Sequence, residues 1–123
     1  DYPQALSFYE KALQIQQKAL PENHPSMAVC YESIGSVYHH MGDYSQALTY
    51  HQKALEIRAV SLPPNHPHLS ASYNHLGSIY DRMGDMSQAL CYYQKALNID
   101  KSSLPPNHPD LAASYTNIGS VYS

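Results

Sequence analysis

Histidine is the residue type in this chain with the clearest capacity for chemistry, because eight histidines accompany two cysteines and ten acidic residues. His39 and His40 are adjacent, and His66 and His68 lie two residues apart. Imidazole rings can bind a transition metal or exchange protons near neutral pH. A structural zinc site needs about four converging ligands, however, and the usual Cys/His spacings are absent. The sequence therefore predicts neither a metal site nor a cofactor.

Catalytic motifs are also absent from the chain. It contains no Gly-rich phosphate loop, no G-x-S-x-G elbow and no H-E-x-x-H helix. The histidines and acids form no single constellation, since several of them recur at a fixed period. We therefore predict that the chain is not an enzyme.

The period is set by three copies of one segment. LPENHP begins at Leu20, and LPPNHP begins at Leu62 and again at Leu104, which gives a spacing of 42 residues. The same spacing relates three glycines, six tyrosines and three histidines that precede proline: Gly35, Gly77, Gly119; Tyr31, Tyr73, Tyr115; Tyr38, Tyr80, Tyr122; His24, His66, His108. A fixed period of this length is typical of a helical repeat array. Recurrence beside proline favours a structural role for these histidines.

Each period contains the signals for two helices. Proline at 25, 67 and 109 suits a first helical turn, and Gly42 and Gly84 can end the first helix. Asp43 and Asp85, each with Gln three residues later, resemble capping boxes for the second helix, as does Asp1 with its Gln. The sequence predicts an all-α fold with helices over 2–19, 25–41, 44–61, 67–83, 86–103 and 109–122.

Glycine recurs in the middle of the first helix, where it costs about 1 kcal/mol relative to alanine. A repeated cost implies a repeated benefit, which we expect to be close approach of the partner helix. We predict that four alanines are the small residues facing these glycines: Ala47, Ala54, Ala89 and Ala96.

Charge and composition exclude several classes of partner. The formal charge is −3 and no basic stripe is present, so we expect no nucleic-acid partner. No apolar run is long enough to span a membrane, so we expect no membrane partner. Cys30 and Cys91 occupy different positions of the repeat, which favours free thiols and a reducing, cytoplasmic setting. The chain begins at Asp1 without an apolar leader, so we expect no signal peptide and a piece of a longer protein.

The spacing of residues in the second full period resembles the tetratricopeptide repeat. The matching pattern is Tyr73-x-x-Leu76-Gly77-x-x-Tyr80, then Gly84-Asp85, then Ala89, Tyr93 and Ala96, with tyrosine where the family usually has tryptophan. The 42-residue form, with its His-Pro dipeptide before the first helix, is similar to the repeats of kinesin light chains. The resemblance covers the whole chain and implies a right-handed superhelical solenoid of antiparallel helix pairs. It divides the chain into a half repeat 1–20, full repeats 21–62 and 63–104, and a half repeat 105–123.

The resemblance also implies a function, which is to bind a peptide or protein segment in a concave groove lined by the first helices. Carrying the family's groove positions over gives Glu32, Ser36, His39, His40, Asn74, Ser78, Asp81, Arg82, Thr116 and Ser120. Each of these side chains could equally be ordinary solvated surface, since exposed polar residues are the default. The hypothesis therefore concerns the face and not any single residue.

An alternative role is self-association as a structural spacer. The helix predicted over 2–19 lacks a preceding partner, and the face of Leu111, Tyr115, Ile118 and Tyr122 lacks a following one. The repeat makes these two ends complementary, so we expect head-to-tail pairing of helix 109–122 with helix 2–19 of another chain. Such a contact need not close into a ring.

Overall fold

The computed structural model describes residues 1–123, and all of its regular elements are helices. The six helices are α1 (Tyr2–Ala19), α2 (Pro25–Met41), α3 (Tyr44–Ser61), α4 (Pro67–Met83), α5 (Met86–Ser103) and α6 (Pro109–Tyr122). Their bounds agree with those predicted from the sequence. The chain forms two compact units of three helices each, Asp1–Ser61 and Leu62–Ser123. None of the helices is both long enough and apolar enough to cross a membrane.

The histidine before each proline caps the first helix of its repeat. Nδ1 of His24, His66 and His108 accepts a hydrogen bond from the backbone N–H two residues later, at 3.1, 3.0 and 3.1 Å. Histidine here accepts a hydrogen bond from a free N–H group at the helix start, which is usually the role of Ser, Thr, Asp or Asn. The expected structural role of these histidines is confirmed.

Aspartate caps two of the three second helices. Asp43 and Asp85 each accept a hydrogen bond through Oδ1 from the N–H of the Gln three residues on, at 3.3 and 3.2 Å. The same prediction is wrong for Asp1, whose side chain makes no capping bond. The preceding first helices end at Gly42 and Gly84, which take φ values of 83° and 84°, as the left-handed cap requires.

The core of the first unit lies where α1 and α3 pack against α2. The short connections between the helices make neighbours antiparallel. The buried residues are Leu13, Met27, Ala28, Ile34, Ala54 and Ile57, with Leu6, Cys30, Tyr31, Tyr38 and Tyr50 packed against them. The second unit places α5 between α4 and α6, and part of its core is formed by Ala89, Tyr93 and Val121.

The mid-helix glycines allow an aromatic ring to approach the backbone of the first helix. A Cβ on Gly35 would lie 2.8 Å from Cδ2 of His51, and one on Gly77 would lie 2.7 Å from Cδ1 of Tyr93. The expected close approach is thus confirmed, but the predicted partner residues are wrong. The four alanines are fully buried. The atoms nearest to Gly35 and Gly77, however, belong to the rings of His51 and Tyr93, at a different position of the second helix.

Each unit also contains a stack of three tyrosines beside a lysine. In the second unit the Tyr92 ring lies 6.1 Å from that of Tyr73 and 5.6 Å from that of Tyr80, and Lys95 Nζ lies 5.2 Å from the Tyr92 centroid. The equivalent residues of the first unit, Tyr31, Tyr38, Tyr50 and Lys53, repeat the arrangement. Burial raises the pKa of Tyr38, Tyr80 and Tyr92. The tyrosine excess in the composition therefore serves packing between helices.

Candidate functional site

The predicted face of α2 begins with an ion pair. The Glu32 carboxylate accepts a hydrogen bond from the guanidinium of Arg58 on α3, and both side chains are largely buried. Arg58 occupies the second-helix position equivalent to Gln16 and Asp100. Because the pair is partly shielded from water, we expect it to contribute more to the free energy of unfolding than an exposed pair would.

The other predicted residues of α2 are engaged in local contacts. His40 Nδ1 lies 2.7 Å from the carbonyl oxygen of Ser36, and its ring stacks on Tyr2 at 6.1 Å. His39 meets the ring of Tyr44 edge-on at 5.6 Å. The two histidines therefore form an aromatic cluster near the end of α2. His39 and Ser36 remain half-exposed and His40 is exposed.

In the second unit the structure brings together amides from α4 and α6. Asn117 Nδ2 donates to Asn74 Oδ1 at 3.5 Å, a long hydrogen bond that leaves further donors and acceptors on both amides. Thr116 and Ser120 donate their hydroxyls to carbonyl oxygens of their own helix, those of Ala112 and Asn117. Their hydroxyl oxygens can still accept a hydrogen bond from a ligand.

The remaining predicted residues of α4 act on the pKa of Tyr93, a buried residue of α5. Burial raises the pKa of Tyr93, and the nearby Asp81 carboxylate raises it further. A hydrogen bond with Ser78 and the positive charge of Arg82 act in the opposite direction. Ser78 follows Gly77 in the chain, so this part of the α4 face lies beside the Tyr93 ring. Arg82 is exposed and Asp81 is half-exposed, so both charges can meet a ligand.

A buried carboxylate on α5 was missed by the sequence analysis. Asp100 is 7% exposed, and its two oxygens accept hydrogen bonds from Ser70 of α4 and Ser114 of α6, both at 2.7 Å. Asp100 and Ser70 lie beside a cavity of about 220 Å³. It is lined by Pro67, Ser70, Ala71, Asn74, Asp100, Ser103, Leu104, Asp110 and Ala113.

One signal in the sequence could have identified this position. The same position of the repeat, just before the leucine segment, holds Gln16, Arg58 and Asp100. These three residues differ in charge, although the segment that follows them is nearly the same. A polar position that changes from copy to copy is a better candidate for a specific interaction than a recurring one. The predicted groove residues all lie on the first helices, so this position on the second helices was not among them.

The histidines, cysteines and acids form no metal-binding group. No three of these side chains lie close enough together to hold an ion. The thiols of Cys30 and Cys91 are free, and burial raises the pKa of Cys30.

Comparison with known proteins identifies the repeat. The profile of the family described as "Tetratricopeptide repeat" matches residues 1–59 and 31–102. Similar solved structures include the nearly identical tetratricopeptide-like repeats of a candidate kinesin light chain from Podosopora anserina, with 25% identity and a TM-score of 0.88 over 98% of this chain. BtubC (BKLC) from P. vanneervenii is 24% identical, with a TM-score of 0.91 over the same share. The predicted all-α helical-repeat solenoid fold and its likeness to kinesin light chain repeats are confirmed.

The chain spans only part of these proteins. It covers 57% of the Podosopora anserina chain and 48% of BtubC. No curated protein sequence matches it significantly.

Proposed function

Because the chain belongs to the tetratricopeptide repeat family, we propose that it binds a peptide or protein segment in the groove lined by the first helix of each repeat. Tetratricopeptide repeats are generally protein-interaction scaffolds and are typically non-enzymatic. The ten groove residues predicted from the sequence are its candidate contacts. Free thiols on Cys30 and Cys91 are compatible with a reducing, cytoplasmic setting for this role.

The observation that carries the proposal is the polar face shared by α4 and α6. Asn74 and Asn117 present amide donors and acceptors that can pair with a peptide backbone, and their mutual bond is long enough to be exchanged for a ligand. Asp81 and Arg82 add opposite charges on the same helix. This set of groups suits a polar peptide better than a small apolar ligand.

The test compares partner capture by matched variants. One variant carries Asn74→Ala, Asp81→Ala and Arg82→Ala, and the control carries three exposed changes on α5: Ser87→Ala, Gln94→Ala and Asn98→Ala. The circular dichroism of each variant must first match that of the parent chain. Each protein is then used to capture partners from source-cell lysate, which are quantified by mass spectrometry. We expect partners that the control retains and the first variant loses. Partners retained equally by both would place binding on another surface and contradict the proposal.

Self-association is a second candidate function, favoured by two uncovered faces. On α1, Phe8 and Ile15 are 71% and 67% exposed, and on α6, Tyr115 and Tyr122 are 55% and 72% exposed. Gly119 has no atom within 4 Å of its Cβ position, whereas the other mid-helix glycines lie against a ring. Tyr9 is the α1 residue equivalent to His51 and Tyr93, so a second copy could supply that ring.

The expectation that Leu111 belongs to this uncovered face is wrong, since Leu111 is buried. We propose head-to-tail pairing of α6 with α1 of another chain through the remaining residues. Light scattering across concentrations tests it. A strict monomer at millimolar concentration, or equal association of a Phe8→Glu variant, contradicts it.

A further inference from the structure

We propose that the cavity beside Asp100 in the second unit holds one cationic side chain, a lysine ammonium or an arginine guanidinium, of the bound segment. This inference rests on the proposed function and adds the chemical class of one ligand residue. It concerns Leu62–Ser123 alone, where α4, α5 and α6 all contribute to the cavity.

Asp100 is a buried carboxylate without a cation beside it. Two serine hydroxyls donate to it, one to each oxygen. No lysine, arginine or histidine nitrogen lies within 4.0 Å of the carboxylate. A carboxylate can accept about four hydrogen bonds, so it keeps capacity on the side that faces the cavity. Buried charges in proteins are usually paired, which makes a cation the missing partner.

The equivalent position of the first unit carries a base that is paired with an acid. There the α3 residue is Arg58, which pairs with Glu32 of α2, so a base and an acid occupy the two equivalent positions. In the second unit these positions hold Asp100 and Asn74, which supply an acid and a neutral amide. The second unit therefore has no base at either position, and its one acid lies on the second helix, where the first unit has Arg58. A ligand cation would restore the pairing that Arg58 completes within the first unit.

The rim of the cavity is also acidic. Asp110 contributes a second carboxylate, which lies 3.8 Å from Nδ1 of His108. That nitrogen accepts a hydrogen bond from the Asp110 N–H, so its lone pair is already engaged at the start of α6. The Asp110 carboxylate is 72% exposed and available to a ligand. A chain with a net charge of −3 also attracts a cationic segment during approach.

The cavity also has the size of a single side chain. The cavity measures about 220 Å³, below the ~300 Å³ of the smallest typical small-molecule sites, so it suits one side chain and not a whole ligand. Ala71, Leu104 and Ala113 line its walls. Lysine and arginine pack their methylene stems on apolar surface while their charged ends reach polar groups. The combination of apolar walls and an acidic floor matches that kind of side chain.

The experiment uses three short capped peptides on the whole chain. They are acetyl-Gly-Arg-Gly-amide, the same peptide with lysine, and the same peptide with citrulline, which keeps the shape of arginine without its charge. Amide proton–nitrogen NMR follows the titrations. We expect the arginine and lysine peptides to shift the amides of Ala71, Ser103 and Ala113, and to bind about ten-fold or more tightly than the citrulline peptide.

Two variants and a control locate the charge that is responsible. Asp100→Asn should weaken the arginine peptide about ten-fold or more, while Asp110→Asn, on an exposed residue that should not affect folding, should weaken it about two- to five-fold. Glu56→Gln on α3 removes one exposed carboxylate in the other unit and should change nothing. Equal binding of the citrulline peptide overturns the proposal. So do shifts confined to other acidic residues, or affinity unaffected by both variants.

This outcome is separable from that of the proposed function. If the charged peptides do not bind but the Asn74, Asp81 and Arg82 variant still loses its partners, the groove function stands and the cation site is rejected. If capture is unaffected by those three changes, the groove function is rejected whatever the peptides do.

Discussion

A Cβ atom on Gly77 would lie 2.7 Å from Cδ1 of Tyr93, a distance that real Cβ contacts do not show. Tyr93 is 4% exposed and belongs to the core of the second unit. The contact is near the base of the side chain, so the ring cannot avoid it by moving its far end alone. The spacing between α4 and α5 therefore depends on the absence of a side chain at Gly77.

The first prediction concerns that spacing. Gly77→Ala should lower the free energy of unfolding by about 1–3 kcal/mol through overpacking, despite a gain in helix propensity of up to about 1 kcal/mol. Gly119→Ala is the matched control because its Cβ position is open, and it should be neutral or slightly stabilising. Urea denaturation measures both. Equal effects of the two changes would contradict the importance of the ring contact.

The second prediction concerns an orphaned group in the first unit. Gln16 Oε1 is buried without a hydrogen-bond partner. Gln16 is equivalent by repeat to Asp100, and Cys30 is equivalent to Ser114, which donates to Asp100. Cys30→Ser should therefore place a hydroxyl donor beside Gln16 and stabilise the protein by about 1 kcal/mol.

Thermal unfolding at one pH checks this effect. Cys30→Ala is the control, since it also removes the thiol but adds no donor. The idea fails if the serine variant is no more stable than the alanine variant.

The third prediction concerns the Asp100 carboxylate. Ser114→Ala removes one of its two donors and should cost about 1–3 kcal/mol, because a buried acceptor loses its partner. Ser120→Ala on the same helix removes an exposed hydroxyl that bonds only to its own backbone, and should stay within about 0.5 kcal/mol of the parent. Chemical denaturation distinguishes them, and a cost at Ser114 no larger than at Ser120 would exclude a role in stability.

The fourth prediction concerns alkaline pH. Burial raises the pKa of Tyr38, Tyr80, Tyr92 and Tyr93 above the ordinary tyrosine value of about 10. Between the unfolded and the folded pKa the unfolded chain has lost protons that the folded chain retains. Stability is therefore fully present below about pH 10 and falls as pH rises through the folded pKa values.

Melting temperatures from neutral pH to about pH 11 check this dependence. Tyr93→Phe should reduce the steepness of the alkaline decline, since it removes one of the four shifted groups. An unchanged melting temperature over the whole range would contradict the prediction.

Helix bounds could be read from the sequence because each depends on neighbours along the chain. The helix that begins at Pro25 is capped by His24, whose ring accepts a hydrogen bond from the Ser26 N–H. It ends at Gly42, which adopts a left-handed conformation. Asp1 shows where local reasoning fails: it has the residue type of Asp43 but makes no capping bond. The repeat period carried the same local signals through the chain, so the family and fold could be predicted as well.

The tertiary structure decided which side chains meet. The sequence indicated that Gly77 allows close approach, but only packing revealed that the partner is Tyr93 and not an alanine. Asp100 meets Ser70 and Ser114 across separations of 30 and 14 residues, and Arg58 meets Glu32 across 26. Periodicity assigns residues to a face of a helix, whereas such contacts depend on the rotation and distance of the packed helices. The sequence by itself therefore determined the helices and their repetition, and the packing of the helices determined the buried carboxylate and the cavity beside it.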